Sequence, residues 1–302
     1  MERANYWWMS AYLVCLLLSH VLRAWRWRYL LDPVKPHIGL RNLFSGVMIG
    51  YFFNNILPRA GELARPYAIG KLESVPKSFA LGTIVVERII DVLTFLLLVS
   101  LLPVLYDGPL LESFPWLQDA GFLITAVTVG LLAVMIVFMM RRDWTNAVVQ
   151  RSARILPAWL IGRTRPLIHS FLDGFSFLKQ PWHVIIVAAG SLIVWLLYII
   201  MVYLAFFSFG IGNLGFRAAA VVQAISSIGV AIPTPGGTGS YHTLTSQSLT
   251  RLFGVDPVVA LGYATVTHAV GYIGVTLVGA YFLLRDHMHV GEAVGGTQHD
   301  TA

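Results

Sequence analysis

Long apolar runs separated by short polar breaks dominate the sequence. The longest runs cover residues 119–140, 184–209 and 257–284, and a further run, 79–105, is interrupted by charged residues. A helix needs roughly 20 residues to cross a hydrocarbon core of about 30 Å, so each of these runs is long enough. The pattern therefore predicts an all-α polytopic membrane protein.

Two shorter apolar runs end in breaks that are rich in proline or glycine. The first covers 43–58 and leads into Arg-Ala-Gly-Glu, and the second covers 216–233 and leads into Thr-Pro-Gly-Gly-Thr-Gly. Broken backbone at membrane depth requires protein or a wet cavity to satisfy its amides. We therefore expect both segments to be re-entrant: each enters the membrane, breaks and returns.

The positions of the basic residues orient the predicted spans. Segments 23–41, 59–77 and 141–182 contain five, four and seven Lys or Arg residues, whereas 107–118 contains none. Short basic loops face the cytoplasm. Both flanks of 43–58 are then cytoplasmic, as a re-entrant segment requires, and 107–118 lies outside.

Matching broken segments that enter from opposite faces are typical of transporters built from inverted repeats. The expected organisation is two pseudo-symmetric inverted halves: an N-terminal membrane half (1–140), a basic interfacial linker (141–183), a C-terminal membrane half (184–285) and a disordered tail (286–302). In the alternative, both short runs are ordinary helices that tilt little and thin the bilayer.

Composition agrees with a membrane location and excludes several classes of protein. Hydrophobic residues make up 57% of the chain and charged residues 12%, against about 25% charged residues in soluble domains. The net charge of +6 comes from residues beside apolar spans, which indicates contact with anionic lipid rather than nucleic acid. The single cysteine, Cys15, excludes an internal disulfide framework. Metal-ligand spacings and acyl-transfer motifs are lacking, so we expect no metal, no cofactor and no enzymatic activity.

Tryptophans bound the first predicted span. Trp7 and Trp8 begin it, and Trp25 and Trp27 end it, which predicts aromatic belts at both membrane interfaces. The basic end is the C-terminal one, so the N-terminus would face outward. An outward start without a cleavable signal predicts a preceding helix that this chain lacks.

Three charged residues inside one apolar run mark a candidate site. Glu87, Arg88 and Asp91 lie within five positions, and an ionisable group at mid-membrane costs about 2.5–3.5 kcal/mol on insertion scales. Arg88 is expected to neutralise one carboxylate, with Arg59 and Arg65 as partners from the first break. The group is either a structural ion network that holds the break to the helix or a path for lipid headgroups.

The first break carries a second group of charges. Arg59, Glu62 and Arg65 are spaced three apart, so a helix would place Glu62 between two arginines. An arginine fork matches phosphate bidentately, which leaves one arginine free to contact a lipid phosphate while the other pairs with a carboxylate. Gly61 and Pro66 predict an irregular backbone at this point.

The second break is expected to contribute backbone rather than charge. Gly236 and Gly237 allow close approach of the chain, and a helix N-terminus that follows such a break is able to hold an anion. His242, just past the break, and His268, inside the last span, are candidate titratable residues. A lone membrane histidine is, however, more often a packing residue.

Three motifs together resemble a known family. They are Asn54-Asn55 with Pro58-Arg59-x-Gly61-Glu62-x-x-Arg65, then Val86-Glu87-Arg88-x-x-Asp91, then Pro233-x-Pro235-Gly236-Gly237-x-Gly239. Their order and spacing resemble the lysylphosphatidylglycerol synthase transmembrane-region family over about residues 5–285. The substrate-binding residues expected from the motifs and the two histidines are Asn55, Arg59, Glu62, Arg65, Glu87, Arg88, Asp91, Gly236, Gly237, His242 and His268.

The resemblance implies a flippase-like protein that moves an anionic or lipid-linked phospho-headgroup across the cytoplasmic (inner) membrane. The alternative is a non-transporting partner that presents lipid to a glycosyltransferase or lipid synthase. The expected partners are an anionic phospholipid or polyprenyl-linked lipid, a second copy in a homodimer, or such an enzyme, and not nucleic acid. The chain departs from many relatives at His242, where they have a glutamate, and it has no stretch long enough for the soluble synthase domain.

Overall fold

A computed structural model describes residues 6–108, 110–116, 173–232 and 234–288, with isolated positions at 126, 127, 129, 130, 133, 169 and 170. The regular elements in these residues are helical. The α-helices are α1 Tyr6–Leu31, α2 Leu40–Ile56, α3 Gly61–Glu73, α4 Lys77–Ser100, α5 Leu102–Leu105, α6 Leu110–Ser113, α7 Pro181–Ser208, α8 Gly215–Ala231, α9 Ser240–Phe253 and α10 Pro257–Arg285. The predicted span 119–140, most of the linker 141–183 and most of the tail 286–302 lie outside the described residues.

Four helices in this part of the chain are long and apolar enough to cross a membrane. They cover Trp7–Leu31, Pro181–Ser208, Gly212–Ala231 and Pro257–Arg285. The first, second and fourth confirm helices of spanning length that the apolar pattern predicts. The third covers the run for which a re-entrant path is expected, and its path through the membrane stays a prediction.

Proline and aspartate at the helix ends explain where the long helices begin and stop. The carboxylate of Asp256 accepts hydrogen bonds from the amides of Val258 and Val259 at 2.9 and 3.1 Å, which caps the start of α10. Pro103 stands in the first turn of α5, where its missing N–H costs nothing. The chain therefore breaks after Ser100, so α4 is shorter than the predicted run 79–105.

The first helical hairpin consists of α2 and α3, which pack against each other. Glycines permit this contact, because a Cβ on Gly61 would collide with the backbone carbonyl of Gly50. Asn54 then accepts a 2.7 Å hydrogen bond from the amide of Gly61 and caps α3. The prediction of an irregular backbone was wrong: α3 continues through Pro66 to Glu73.

The second helical hairpin consists of α8 and α9, joined by the loop 232–239. The pair also packs through a glycine, since a Cβ on Gly229 would lie 2.8 Å from the carbonyl oxygen of Ser240. The hydroxyl of Ser240 donates to the carbonyl of Gly229 at 2.7 Å. Both hairpins thus follow the membrane rule that small residues let helix backbones approach closely.

The long helices surround these two hairpins. α1 packs along α7, and α10 packs against α2 and α9. A Cβ on Gly279 of α10 would lie 2.6 Å from the carbonyl oxygen of Met48 of α2, so this contact also depends on a glycine. Trp27 is fully buried, and its indole donates to Thr83 at 3.0 Å. The prediction that Trp27 belongs to an interfacial belt was therefore wrong.

Candidate functional site

A cavity of about 620 Å³ lies where the turns of the two hairpins meet; we call it the central cavity. The first turn, 57–60, and the second turn, 232–239, both contribute to its wall. The remaining wall comes from the four hairpin helices α2, α3, α8 and α9 and from the surrounding helices α1, α4, α7 and α10. Elements from both halves of the sequence therefore enclose one space.

Seven of the eleven predicted site residues line the central cavity. They are Asn55, Arg59, Glu62, Arg88, Gly236, Gly237 and His268. Arg65, Glu87 and Asp91 lie behind this lining in a buried ion cluster. His242 is also outside the lining, but its ring packs on that of His268 at a centroid distance of 4.6 Å.

Polar residues of α10 contact the end of α2, just before the first turn, and the backbone of the second turn. The side-chain amide of Asn55 donates to the hydroxyl of Thr276 at 2.8 Å, and the hydroxyl of Tyr272 donates to the carbonyl of Asn55 at 3.0 Å. His268 Nε2 lies 2.8 Å from the carbonyl oxygen of Gly236 in the second turn. One helix thus connects the end of α2 to the second turn.

Gly236 allows the second turn to approach α10 closely. Its φ of +58° is left-handed, and a Cβ at this position would lie 2.6 Å from the ring of Tyr272. Both features require glycine. The predicted close backbone approach is confirmed here.

Arg59 occupies the first turn in a strained conformation. Its φ of +64° is left-handed, which costs a non-glycine residue about 1–2 kcal/mol. Arg59 is exposed to the central cavity, and it makes no ion pair with the carboxylates that the structure describes. The predicted pairing of Arg59 with the carboxylates of α4 was therefore wrong.

The ion cluster is the second feature of the site, and it lies between α1, α3 and α4. Its members are Arg23, Arg26, Arg65, Glu87, Arg88 and Asp91. Arg65 grips Glu87 as a fork, with Nη1 at 3.2 Å from Oε1 and Nη2 at 2.9 Å from Oε2. The same guanidinium stacks on Trp27, 4.3 Å from the ring centroid. The predicted partnership of Arg65 with α4 is confirmed.

Asp91 pairs chiefly with two arginines of α1. Arg23 Nη1 donates to Oδ2 at 2.6 Å, and Arg26 Nη1 donates to Oδ1 at 2.8 Å. Arg88 Nη1 is farther away, at 3.7 Å, and the Arg88 side chain is 36% exposed. The predicted pairing of Arg88 with a carboxylate of its own helix is present, but it is long, and Arg88 is a peripheral member of the cluster.

Arg23 and Arg26 are the residues that the sequence analysis missed. The pattern of basic residues predicts a cytoplasmic loop at these positions, whereas α1 continues to Leu31 and buries both side chains. Their spacing of three carries a usable signal, because it places two like charges on one helix face. Such a pair inside a membrane helix requires carboxylates from a neighbouring helix, and Glu87 and Asp91 were the available candidates.

The cluster contains more positive than negative charge. Four guanidinium groups face two carboxylates, so two positive charges are left over. Arg59 and Glu62, which line the central cavity beside it, cancel each other and leave the excess unchanged. The wall of the cavity on this side is therefore cationic.

A separate contact ties the hairpin base to the end of α1, outside the spanning helices. The ammonium of Lys35 lies 2.8 Å from one carboxylate oxygen of Glu73, and Asn42 donates to the other at 2.6 Å. Burial raises the pKa of Glu73, but the hydrogen bonds from Lys35 and Asn42 outweigh it and hold the pKa below its usual value. Glu73 is therefore an ionised anchor for α3 at neutral pH.

Comparison with known proteins identifies the family. The family model described as "Lysylphosphatidylglycerol synthase TM region" matches residues 1–279, which is nearly the whole chain. The chain belongs to this family. The resemblance inferred from the three motifs is thereby confirmed, and the chain is a membrane protein with several apolar helices.

Relatives of the family occur in archaea. A UPF0104 membrane protein of Methanocaldococcus jannaschii is 27% identical over 286 residues, covering 91% of this chain and 83% of the relative. A UPF0104 membrane protein of Methanothermobacter thermautotrophicus is 26% identical over 267 residues, covering 84% and 78%. One from Pyrococcus horikoshii is 24% identical over 317 residues, covering 95% and 89%. No solved structure matches the chain.

Proposed function

We propose that the protein is a lipid translocase of the cytoplasmic membrane, which moves an anionic or lipid-linked phospho-headgroup from one leaflet to the other. One observation carries the proposal: a cavity with a cationic side lies at the meeting point of two hairpin turns inside an otherwise apolar helical protein. Ionisable residues within a membrane protein are expensive, and they commonly mark a substrate path.

The size and lining of the central cavity support a headgroup as the substrate. Its volume of about 620 Å³ is within the range of about 300–1,000 Å³ typical of small-ligand sites. Arg23, Arg59 and Arg88 offer guanidinium groups for a phosphate, and Glu62 balances one of them. Aromatic and aliphatic residues of α1, α7, α8 and α10 supply much of the remaining wall, where the first carbons of the lipid tails are able to pack.

The arrangement of the hairpins supports a mechanism of alternating access. In this proposal, α2–α3 and α8–α9 are re-entrant and belong to two inverted repeats, as in other transporters with broken helices near mid-membrane. Each hairpin packs through a glycine and places its turn at the central cavity. Rocking of one half against the other would expose the headgroup to each leaflet in turn.

A reconstituted transport assay tests the proposal. Purified protein is inserted into liposomes that contain a phospholipid with a fluorescent acyl chain, and a membrane-impermeant quencher reports the fraction in the outer leaflet. We expect the quenchable fraction to approach completion in protein-containing liposomes, while empty liposomes stay at about half. Equal quenching in the two preparations would contradict the proposal.

A second candidate function is presentation of lipid to a synthase or glycosyltransferase without transport. The matching family model supports this candidate, because its description names the membrane region of a synthase. It predicts saturable lipid binding in the same liposomes without any change in the quenchable fraction. Measuring lipid binding and the quenchable fraction in the same liposomes therefore distinguishes the two candidate functions.

A further inference from the structure

The excess charge beside the central cavity bears on the kind of headgroup that would fit there, and this inference rests on the proposed function. Within the described residues, the ion cluster retains two positive charges after its internal pairs are counted. Buried charges are normally compensated by a partner of opposite sign. Arg23 and Arg88 belong to the cluster and also line the cavity, so a ligand in the cavity is in a position to compensate them.

His20 is a second, independent observation at the same place. It lines the central cavity beside Arg23, is only 3% exposed, and packs on the ring of Tyr51 at 4.4 Å. Neither ring nitrogen of His20 has a hydrogen-bond partner among the described residues. An imidazole always carries at least one N–H donor, and a buried donor without a partner is unusual in a native protein.

The guanidinium of Arg23 also has unused capacity. Its Nη1 binds Glu87 and Asp91, and its Nη2 donates to Tyr198 at 3.0 Å. The Nε of Arg23 and the Nε of Arg88 have no partner in the same part of the chain. Two arginines and one histidine that line the cavity therefore carry buried nitrogens without a partner among the described residues.

We propose that this corner of the central cavity, formed by His20, Arg23 and Arg88, binds a phosphoryl group with two negative charges at the end of a lipid. A phosphate monoester fits, because its second pKa is about 6 and it carries up to three acceptor oxygens. A phosphodiester headgroup carries a single negative charge and leaves half of the excess uncompensated. A zwitterionic headgroup leaves all of it.

Binding to the intact protein in lipid nanodiscs tests this inference without any transport. The probes are phosphatidic acid, a monoester, phosphatidylglycerol, a monoanionic diester, and phosphatidylcholine, which is zwitterionic, all at pH 8. We expect phosphatidic acid to bind at least tenfold more tightly than phosphatidylglycerol, with no saturable binding of phosphatidylcholine. Equal affinity for the two anionic lipids would overturn the inference.

A pair of histidine variants tests whether His20 contacts the phosphoryl group. His20→Phe places an apolar aromatic ring against Tyr51 and removes the unpartnered nitrogens, so the variant should fold. His183→Phe is the matched control, because His183 also packs on a tyrosine, Tyr29 at 5.4 Å, but does not line the cavity. We expect a tenfold loss of phosphatidic acid affinity in His20→Phe alone. Unchanged affinity in a folded His20→Phe would overturn the assignment.

An arginine variant tests the charge count itself. Arg88 is the most exposed arginine of the cluster and the farthest from its carboxylate, so Arg88→Gln should fold while lowering the excess to one charge. We expect the preference for phosphatidic acid over phosphatidylglycerol to fall to about one. A preserved tenfold preference would show that charge matching does not select the headgroup.

Inorganic phosphate separates a lipid ligand from a free one. If the ligand is a lipid, millimolar phosphate should leave phosphatidic acid binding unchanged, because free phosphate lacks the acyl chains. Displacement by micromolar phosphate would overturn the lipid assignment. Selective binding without lipid movement in the quenching assay would contradict the proposed transport alone, whereas movement without selectivity would contradict the charge inference alone.

Discussion

At the scale of residues, two buried arginines of the first helix organise the ion cluster. Arg23 and Arg26 hold the carboxylates of α4, and they leave Arg88 at the edge of the cluster. Mutual pairing offsets the cost of burying these charges, and Arg23 and Arg26 donate further hydrogen bonds to the hydroxyls of Tyr198 and Ser191. Members of the cluster should therefore differ in what they do: the central ones support the fold, and the peripheral ones are free for ligand.

Arg26→Ala and Arg88→Ala should differ sharply in stability. Arg26 is fully buried and bonded to Asp91 at 2.8 Å, so its removal breaks a buried ion pair and costs about 3–5 kcal/mol. Arg88 is partly exposed and 3.7 Å from Asp91, so its removal should cost about 1 kcal/mol or less. Thermal unfolding of the detergent-purified variants measures the difference. Equal midpoints would show that the cluster is hydrated and that the assigned pairing is wrong.

Lysine substitutions separate an arginine that binds ligand from one that supports the fold. Arg65→Lys loses the two-pronged contact with Glu87 and should destabilise the protein by about 2 kcal/mol. Arg59→Lys retains the charge and breaks no ion pair, so it should leave stability unchanged. If Arg59 grips phosphate as a planar fork, this variant should bind anionic lipid about tenfold more weakly, equivalent to ~1.4 kcal/mol. Unchanged lipid binding by Arg59→Lys would leave Arg59 without a role in the headgroup site.

At the scale of elements, much of the architecture could be predicted from the sequence. The lengths of the apolar runs predict where α7 and α10 begin. Proline and glycine residues predict the breaks after α2 and α8. The course of α3 through Pro66 could not be predicted, because the cap that supports it comes from Asn54 on another helix. The extension of α1 was missed for a related reason: its charges are stabilised by tertiary partners that local pattern does not show.

Two glycine variants test how tightly the second turn must pack. Gly210→Ala and Gly236→Ala both place a side chain at a left-handed φ, +70° and +58°, which costs about 1 kcal/mol. Only Gly236→Ala also meets a neighbour, the ring of Tyr272 at 2.6 Å, whereas Gly210 has open space around it. We expect Gly236→Ala to lose about 1–3 kcal/mol more than Gly210→Ala. Equal losses would mean that the turn is free to move away from α10.

At the scale of the whole molecule, the sequence predicted which residues lie close together. It did not predict which of them line the cavity and which belong to the buried ion cluster. Seven of the predicted site residues line one cavity, because the hairpin turns that carry them meet there. The separation of Arg59 from Arg65 depends on the direction of each side chain from α3 and its turn. The charge excess could not be predicted, because it depends on the packing of the α1 arginines against the carboxylates of α4. Whether the hairpins are re-entrant stays a prediction.

Cysteine labelling from either side of the membrane tests that prediction. Single cysteines are introduced at Lys71, Lys77, Asp107 and Arg151, and the native Cys15 is buried and should stay unlabelled. We expect Lys71, Lys77 and Arg151 to react from the cytoplasm and Asp107 from outside. Labelling of Lys71 from outside would mean that α2 crosses the membrane completely.

The most direct test of the central claim compares lipid movement by the parent and by Arg59→Gly. Glycine relieves the left-handed strain at this position, so the variant should be at least as stable as the parent, while the cavity loses a guanidinium. In matched liposomes, we expect the parent to expose nearly all of the labelled anionic lipid to the quencher, and Arg59→Gly to do so at least tenfold more slowly. Equal rates in the two preparations, or no movement by the parent, would contradict a lipid path through the central cavity.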